Sequence, residues 1–357
     1  MCGSRPDAAG YELAQCLGAG AGLAITPARA TGLEMGEESM NATIGRLIAG
    51  RIATSLAILL LVALIVFAAT SLLPGDVAQE LLGQSATPDL VEAMRRTLGL
   101  DRLPHIRFIA WLQGLITGNP GKSLVNGLPV AELIGKRMPN SLLLAGATAA
   151  LAVPIALTLG ISTAMRQGSR YDRIISTSTI SIVSVPEFLI ATIAVILFAV
   201  NLRWLPALAT VSDGQTYVQL LRSMTMPVLT LTCVVVAQMA RLTRAAVVNT
   251  LREPYIEMAI LKGARPARVV VAHALPNAIG PIANAVALSL SSLLGGVVVV
   301  ETIFNYPGLA RLMVDAVSTR DIPVVQACAM IFCAGYLLLV TLADILAIVS
   351  NPRLRYR

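Results

Sequence analysis

The sequence has few charges and few aromatic residues for its length of 357. Charged side chains make up 13% and aromatic ones 4%, whereas hydrophobic residues make up 56%. Because soluble domains carry about 25% charged residues, this chain has too few charges to cover a soluble surface. The same figures exclude disordered, collagen-like and disulfide-scaffold proteins. The sequence therefore predicts an integral membrane protein.

Residues for catalysis or metal binding are also scarce. The chain has two histidines, and none of its five cysteines forms a CxxC pair. The segment 118–123 ends like a phosphate-binding loop, but Ile116 stands where that motif requires glycine. We therefore expect no enzymatic activity, no metal site and no cofactor in this chain. In a membrane protein, the net charge of +7 indicates basic cytoplasmic loops rather than a nucleic-acid partner.

Continuous apolar runs predict an all-α polytopic protein with six transmembrane helices. A span needs about 20 apolar residues, and these runs lack the alternation of membrane β-strands. The fourth run is short and must extend into its polar flank. The predicted spans are 52–73, 141–164, 174–200, 226–240, 277–300 and 323–349.

Basic residues predict the orientation of these spans. With the N-terminus inside, cytoplasmic segments hold fourteen Lys and Arg residues, and the two short outer loops hold four. The long segment 74–140 carries more, but long loops cross the membrane largely regardless of charge. We therefore expect a cell-membrane protein with both termini in the cytoplasm.

The sequence divides into four parts. Residues 1–45 are predicted to be a disordered extension, and translation could instead start at Met35 or Met40. The second part, 46–73, contains the first span. The outer insertion 74–140 should hold two helices, one beginning at Pro88 after a Thr87 cap and ending before Gly99, the other running from Pro104 to Gly118. Residues 141–357 would form the core, with a cytoplasmic loop at 241–276.

The loop 241–276 predicts a short helix that is bent away from its neighbours on both sides. Pro254 should end the preceding helix, residues 255–262 should form two turns, and Gly263 should end them. Tyr255, Met258 and Leu261 would share one face. This shape suits docking into the groove of a soluble partner. A solvated basic loop that follows the positive-inside rule is the alternative, and the two have similar weight.

Several motifs in order resemble the dipeptide, oligopeptide and nickel permeases of ABC importers, the DppB/OppB type. The register from Ala259 to Gly263, followed by Leu275-Pro276-Asn277-Ala278, resembles the EAA loop of that family. Glu257 departs from it, since the family often has Arg there. The resemblance extends from about residue 46 to the C-terminus. Further matching segments are 72–76, 98–102, 121–123, 137–142, 204–207, 301–309, 320–326 and 352–356.

The resemblance implies a transport mechanism and a set of partners. Partners would be a second permease subunit, two cytoplasmic ATP-binding subunits that hold ATP and Mg²⁺, and an external solute-binding protein. ATP-driven closure would pull the loop helix and rock the bundle between inward and outward states. The coupling residues implied are Tyr255, Glu257, Ala259, Gly263, Ala264 and Pro276.

Two acidic residues lie within the predicted spans. Glu187 would sit near mid-membrane, where a carboxylate is costly and must face a cavity or a partner. It would line the substrate path with Ser289 and Ser292, or else form a structural pair. Asp344 indicates an interhelical hydrogen bond. Helix packing is the alternative for both serines.

Two other classes of function compete with the importer subunit. A self-contained secondary transporter would use Glu187 and Asp344 as ion sites and would show inverted repeats and broken helices. A purely structural membrane anchor would leave the outer insertion and the bent loop without a role. The sequence does not choose among dipeptides, oligopeptides, nickel, opines, glutathione and oligosaccharides as the cargo.

Overall fold

The computed structural model describes residues 31–72, 86–97, 101–209 and 216–349. Helices account for most of them, and the only β-type pairing in these ranges joins Lys122 to Pro129. The helices are α1 Thr31–Ser71, α2 Pro88–Thr97, α3 Pro104–Ile116, α4 Val130–Met165, α5 Arg170–Val183, α6 Glu187–Ala194 with a π-helical continuation Val195–Asn201, α7 Tyr217–Leu251, α8 Pro254–Leu261, α9 Leu275–Ile303 after the lead-in Pro266–Arg268 and π-helical Val269–Ala274, α10 Leu309–Ser318 and α11 Ile322–Val349.

Five helices in the described part of the chain are long and apolar enough to cross a membrane, and a bent helix pair could supply a sixth span. The five are Ile44–Ser71, Val130–Met165, Tyr217–Leu251, Val269–Ile303 and Ile322–Val349. The predicted all-α polytopic fold is confirmed. The fourth predicted span does extend into its polar flanks, because α7 is 35 residues long.

The third predicted span is broken rather than continuous. Helices α5 and α6 meet at a bend of 99°. Pro186 has no backbone N–H and disfavours a helical conformation at Val185, and the helix α5 accordingly ends at Val183. The expectation that Glu187 lies inside the continuous span 174–200 is therefore wrong: Glu187 is the first residue of α6.

Two helices begin earlier than the sequence predicts. α1 begins at Thr31, so the later part of the predicted extension is helical, and residues 1–30 lie outside the described residues. Residues 31–45 contain three Glu, two Met and one Leu, which continue a helix readily. α4 begins at Val130 after Pro129, eleven residues before the predicted span, and the Lys136–Glu132 pair lies on this added part.

The core is formed mainly by α4, α7 and α9, and the most extensive contact is that of α4 with α7. Gly160 permits this approach. A Cβ atom on Gly160 would lie 2.7 Å from the Thr243 Cβ and 2.8 Å from the Ala240 carbonyl oxygen. Small residues at such crossings let helix backbones come close in membranes. The helices that carry the loop 241–276 are thus packed tightly into the bundle.

α1 is held against α11 by polar contacts at both ends. Arg51 pairs with Asp344 at 3.2 Å, and the hydroxyls of Ser55 and Thr341 lie 2.7 Å apart. Near the other end, the Gln326 side-chain amide donates to the Thr70 hydroxyl at 2.6 Å. Asp344 therefore has an interhelical partner, as its position predicted, and that partner is a charged one.

The segment between α1 and α4 contains the two predicted short helices. α2 begins at Pro88 and α3 spans Pro104–Ile116; Gly99 lies outside the described residues. α3 contacts α1 through an aromatic cluster of Phe67, Phe108 and Trp111, with ring centroids 5.3 to 6.0 Å apart. This cluster fixes α3 over the end of the first span.

Candidate functional site: a bent loop and a broken span

The helix α8 lies between two transmembrane helices and is anchored by one side chain. Pro254 occupies its first position, where a missing N–H costs nothing. Ile256 is fully buried and packs with Val269 and Ala274 of the following lead-in. This contact joins α8 to the lead-in of α9.

Gly263 ends α8 in a Schellman motif. Its φ angle is +81°, a left-handed conformation that costs other residues about 1–2 kcal/mol. The Gly263 N–H donates to the Ile260 carbonyl at 2.9 Å, and the Ala264 N–H donates to the Ala259 carbonyl at 3.2 Å. Both bonds are those of the motif. Among the residues that the structure describes, none has an atom within 4 Å of a Cβ placed on Gly263, so the backbone conformation rather than crowding favours glycine there.

α8 presents apolar side chains that the described part of the chain leaves largely exposed. Tyr255, Met258 and Leu261 are 42%, 55% and 74% exposed. A cluster of apolar residues left uncovered is typical of a protein-interaction surface. Of the other predicted coupling residues, Glu257 and Pro276 are exposed, and Ala259 and Ala264 are half-buried.

Glu187 contacts α9 at the break between α5 and α6. A Cβ atom on Gly296 would lie 2.8 Å from a Glu187 carboxylate oxygen and 3.1 Å from a methyl carbon of Leu231. A side chain at residue 296 would collide with the Glu187 carboxylate, so the glycine permits this contact. Glu187 is half-buried, so the rest of this chain covers it only in part.

Ser289 and Ser292 lie on the same face of α9 as Gly296, because residues three, four and seven apart share a helix face. Ser289 is fully buried, and its hydroxyl donates to the Ala285 carbonyl of its own helix. The Ser292 hydroxyl lies within donating distance of both the Gln238 side-chain oxygen on α7, at 3.1 Å, and the Ser289 carbonyl. The structure thus brings the predicted path residues onto one stripe of α9, with Glu187 at its end.

Sequence reasoning missed a buried carboxylate at the end of α9. Glu301 is fully buried. It accepts hydrogen bonds from the Ser141 hydroxyl and from the backbone N–H groups of Ala310, at 2.8 Å, and Arg311, at 3.1 Å. A carboxylate at a helix N-terminus satisfies free N–H groups and favours the helix dipole. Glu301 therefore caps α10 and ties it to α4 and α9.

Tyr306 reinforces this junction. Its hydroxyl donates to the Asn140 carbonyl at 3.0 Å, and the Asn140 amide donates to the Pro307 carbonyl at 2.9 Å. Burial raises the pKa of the Tyr306 hydroxyl, and the nearby Glu301 carboxylate raises it further. Tyr306 consequently remains a neutral hydrogen-bond donor at any physiological pH. The sequence did contain a signal for this junction, because the acidic residue Glu301 comes shortly before a Pro-Gly pair that precedes a new helix.

A second buried carboxylate fixes the segment before α4. Asp321 accepts from the Ser123 hydroxyl and, at 3.0 Å, from the Leu124 backbone N–H. Asp321 and Ser123 are 4% and 3% exposed. The segment that resembles the end of a phosphate-binding loop therefore uses its serine to contact the start of α11.

Comparison with protein families gives two matches that together cover most of the chain. Residues 156–356 match the family described as binding-protein-dependent transport system inner membrane component. Residues 44–145 match the N-terminal part of such membrane components. The first match includes α8, Gly263, the broken span and Glu301.

Individual relatives agree with the family match. A probable peptide ABC transporter permease protein, y4tP of Sinorhizobium fredii, is 34% identical over 88% of this chain and all of its own length. The glutathione transport system permease protein GsiC of Pectobacterium atrosepticum is 38% identical over 84% of this chain and 95% of its own. A putative peptide transport system permease protein of Brucella abortus is 34% identical over 87% and 99%.

These relatives do not support the secondary-transporter alternative, although the broken span is one feature that it predicted. ABC permeases work together with other transporter subunits. The chain belongs to the family of binding-protein-dependent transport system inner membrane components and is a pore-forming permease subunit of an ABC importer.

Proposed function

We propose that this permease imports short peptides and is driven through α8 by two cytoplasmic ATP-binding subunits. The names of its relatives support the substrate class, because they include peptide permeases and a permease for glutathione, itself a tripeptide. A second permease subunit and an external solute-binding protein would complete the transporter. ATP and Mg²⁺ would be bound by the ATPase subunits and not by this chain.

One observation carries the coupling step: α8 is anchored through Ile256 and exposed through Tyr255, Met258 and Leu261. An ATPase that grips the exposed face can transmit its motion through the buried one. α8 follows α7 after two residues, and its anchor contacts the lead-in to α9. Displacement of α8 would therefore tilt α7 and α9 together, and a rigid-body motion of this kind can alternate access to a path.

The proposal places both termini and α8 in the cytoplasm. Fourteen Lys and Arg residues in the segments assigned to that side support this orientation. α2, α3 and the Asp321–Ser123 contact would then lie on the outer face, where a solute-binding protein docks.

A pull-down of the tagged chain from native membranes under mild detergent, with mass spectrometry of the bound proteins, tests the proposal. We expect a second permease and ATPases with nucleotide-binding motifs. A Leu261→Ser variant should recover several-fold less ATPase, since Leu261 is 74% exposed on α8. Leu103→Ser, at a position 59% exposed before α3, should recover the normal amount. Recovery of a folded chain that transports without partners would refute the proposal.

Glu187 is proposed to line the substrate path and to receive the ammonium group of a peptide. It stands at the break of a span, partly uncovered, beside a glycine of a helix that carries Ser289 and Ser292. A carboxylate within a membrane is expensive and is usually retained for function. The alternative is a structural contact with the neighbouring subunit.

Glu187→Gln should lower the uptake of peptides with a free N-terminus by about tenfold to a hundredfold, since a hydrogen bond to a charged group contributes roughly 1.5–3 kcal/mol. Uptake of the matching N-acetylated peptide should change little. Competition assays with both peptides in whole cells measure this difference. Asp344→Asn is the control, because Asp344 contacts Arg51 on α1. Unchanged uptake and substrate range in Glu187→Gln would assign Glu187 a structural role.

A further inference from the structure

Two adjoining cavities lie between α5 and α7, next to the short turn that joins α4 to α5. The larger has a volume of about 280 Å³, and its polar lining comprises Ser169, Asp172, Arg173, Ser176, Thr177 and Arg244. The smaller, about 150 Å³, shares Ser176 and Arg244 and adds Arg241. Arg173 thus lines the larger cavity, Arg241 the smaller one, and Arg244 lies between them and lines both.

The Asp172 carboxylate, which lines the larger cavity, already accepts four hydrogen bonds. Asp172 accepts two hydrogen bonds from Arg244, at 2.6 and 2.7 Å, one from the Gly168 N–H at 3.0 Å and one from the Ser176 hydroxyl at 3.2 Å. A guanidinium has five N–H donors, so Arg244 keeps three for another acceptor. The Asp172–Arg244 pair is neutral and stays fixed.

Because the Asp172–Arg244 pair is neutral, the net positive charge of the cavities comes from the two other arginines that line them. Within the described ranges, neither Arg173 nor Arg241 forms an ion pair, and both are exposed. Together with the N–H groups of Arg244 that Asp172 does not bind and the nearby hydroxyls, they offer donors from two helices on either side of Arg244. An acceptor with several oxygens and a negative charge matches such a set of donors.

The end of an apolar run beside the cavities indicates that they would lie where a bilayer changes from hydrocarbon to headgroups. The apolar run of α7 ends at Ala240, immediately before Arg241. Ile174 and Ile180 on α5 are more than half exposed and would face acyl chains. Tyr171, whose ring lies 5.2 Å below the Arg166 guanidinium, is a residue type enriched at this depth.

We propose that these cavities bind the phosphate group of an anionic phospholipid. Basic pockets between transmembrane helices at the cytoplasmic face bind such headgroups. The phosphate oxygens would accept from Arg173, Arg241 and the free N–H groups of Arg244, while the acyl chains follow Ile174 and Ile180. Bound there, the lipid bridges α5 and α7, and α7 leads directly into α8. The proposal rests on the membrane location and the proposed orientation of the chain, and not on its peptide specificity.

The test uses the whole purified transporter, freed of lipid in detergent. Phosphatidylglycerol, phosphatidylcholine or inorganic phosphate is added, and both bound lipid, by native mass spectrometry, and melting temperature are measured. We expect binding and stabilisation by phosphatidylglycerol alone. An Arg173→Ala/Arg241→Ala double variant should bind it roughly tenfold more weakly or worse. Arg46→Ala/Arg170→Ala removes the same charge outside the cavity lining and should bind it normally.

Each result decides the proposal. Loss of phosphatidylglycerol binding in the cavity variant but not in the control supports a lipid phosphate site. Equal loss in both variants shows a general charge effect and overturns it. Unchanged binding in the cavity variant overturns it as well. Stabilisation by inorganic phosphate equal to that by phosphatidylglycerol overturns the lipid assignment and identifies a soluble phosphate as the ligand.

Discussion

Replacing Gly263 by Asp should leave the permease in the membrane and abolish uptake. An Asp at position 263 must keep the φ angle of +81°, which strains a residue that has a Cβ atom, and its carboxylate at the C-terminal end of α8 opposes the helix dipole. Together these two effects destabilise the native turn by about 2 kcal/mol, which lowers its population about thirtyfold. The carboxylate would also project from the surface that the ATPase contacts. Uptake of a labelled dipeptide, compared with the amount of permease in isolated membranes, measures the effect.

Two variants separate strain from lost docking. Gly263→Asn adds a side chain of the same shape without the charge. Because Asn and Asp tolerate a positive φ angle alike, it should carry similar strain and yet retain much of the uptake. Gly127 has a φ angle of +68° and, like Gly263, no atom within 4 Å of an added Cβ. Gly127→Asp therefore carries similar strain far from α8, and it should reach the membrane as Gly263→Asp does. Normal uptake by Gly263→Asp would refute the assignment of α8 as the coupling helix.

The fold class could be predicted because a span is a local property of the sequence. Continuous apolar runs of about 20 residues show the crossing helices regardless of their neighbours, and Pro254, Gly263 and Pro266 mark the ends of α8 and its flanks through their own backbone preferences. The ends of the long helices were predicted less well. α4 begins at Val130 outside the apolar run, where hydropathy carries no signal.

Contacts between distant residues could not be predicted. Hydropathy continues across Pro186, so it hides the bend of 99° that places Glu187 at a helix start. Asp172 and Arg244 are 72 residues apart, and Ser141 and Glu301 are 160 apart. A single sequence shows that a carboxylate near a membrane needs a partner but not which partner it has. For Asp344 the predicted interhelical contact was confirmed, and only the structure identifies Arg51.

Replacing Gly308 by Ala should have the largest effect on stability. An added Cβ atom would overlap the carboxylate of Glu301, which is fully buried and cannot move into solvent. Displacing Glu301 would leave the N–H groups of Ala310 and Arg311 without an acceptor, at about 1–3 kcal/mol for each buried group. We expect the amount of permease in membranes and its melting temperature in detergent to fall strongly. Uptake would fall in proportion to the protein that remains.

Gly295→Ala is the matched control, since it adds the same methyl group to α9 where no atom lies within 4 Å; it should change nothing or stabilise slightly, because Ala favours a helix over Gly. Glu301→Gln should be intermediate. Its amide oxygen can accept from Ala310 and Arg311 while its NH₂ group donates to the Ser141 oxygen, so the cap of α10 survives without its charge. If Gly308→Ala accumulates and melts like the wild type, Glu301 does not hold α10 in the membrane-embedded protein.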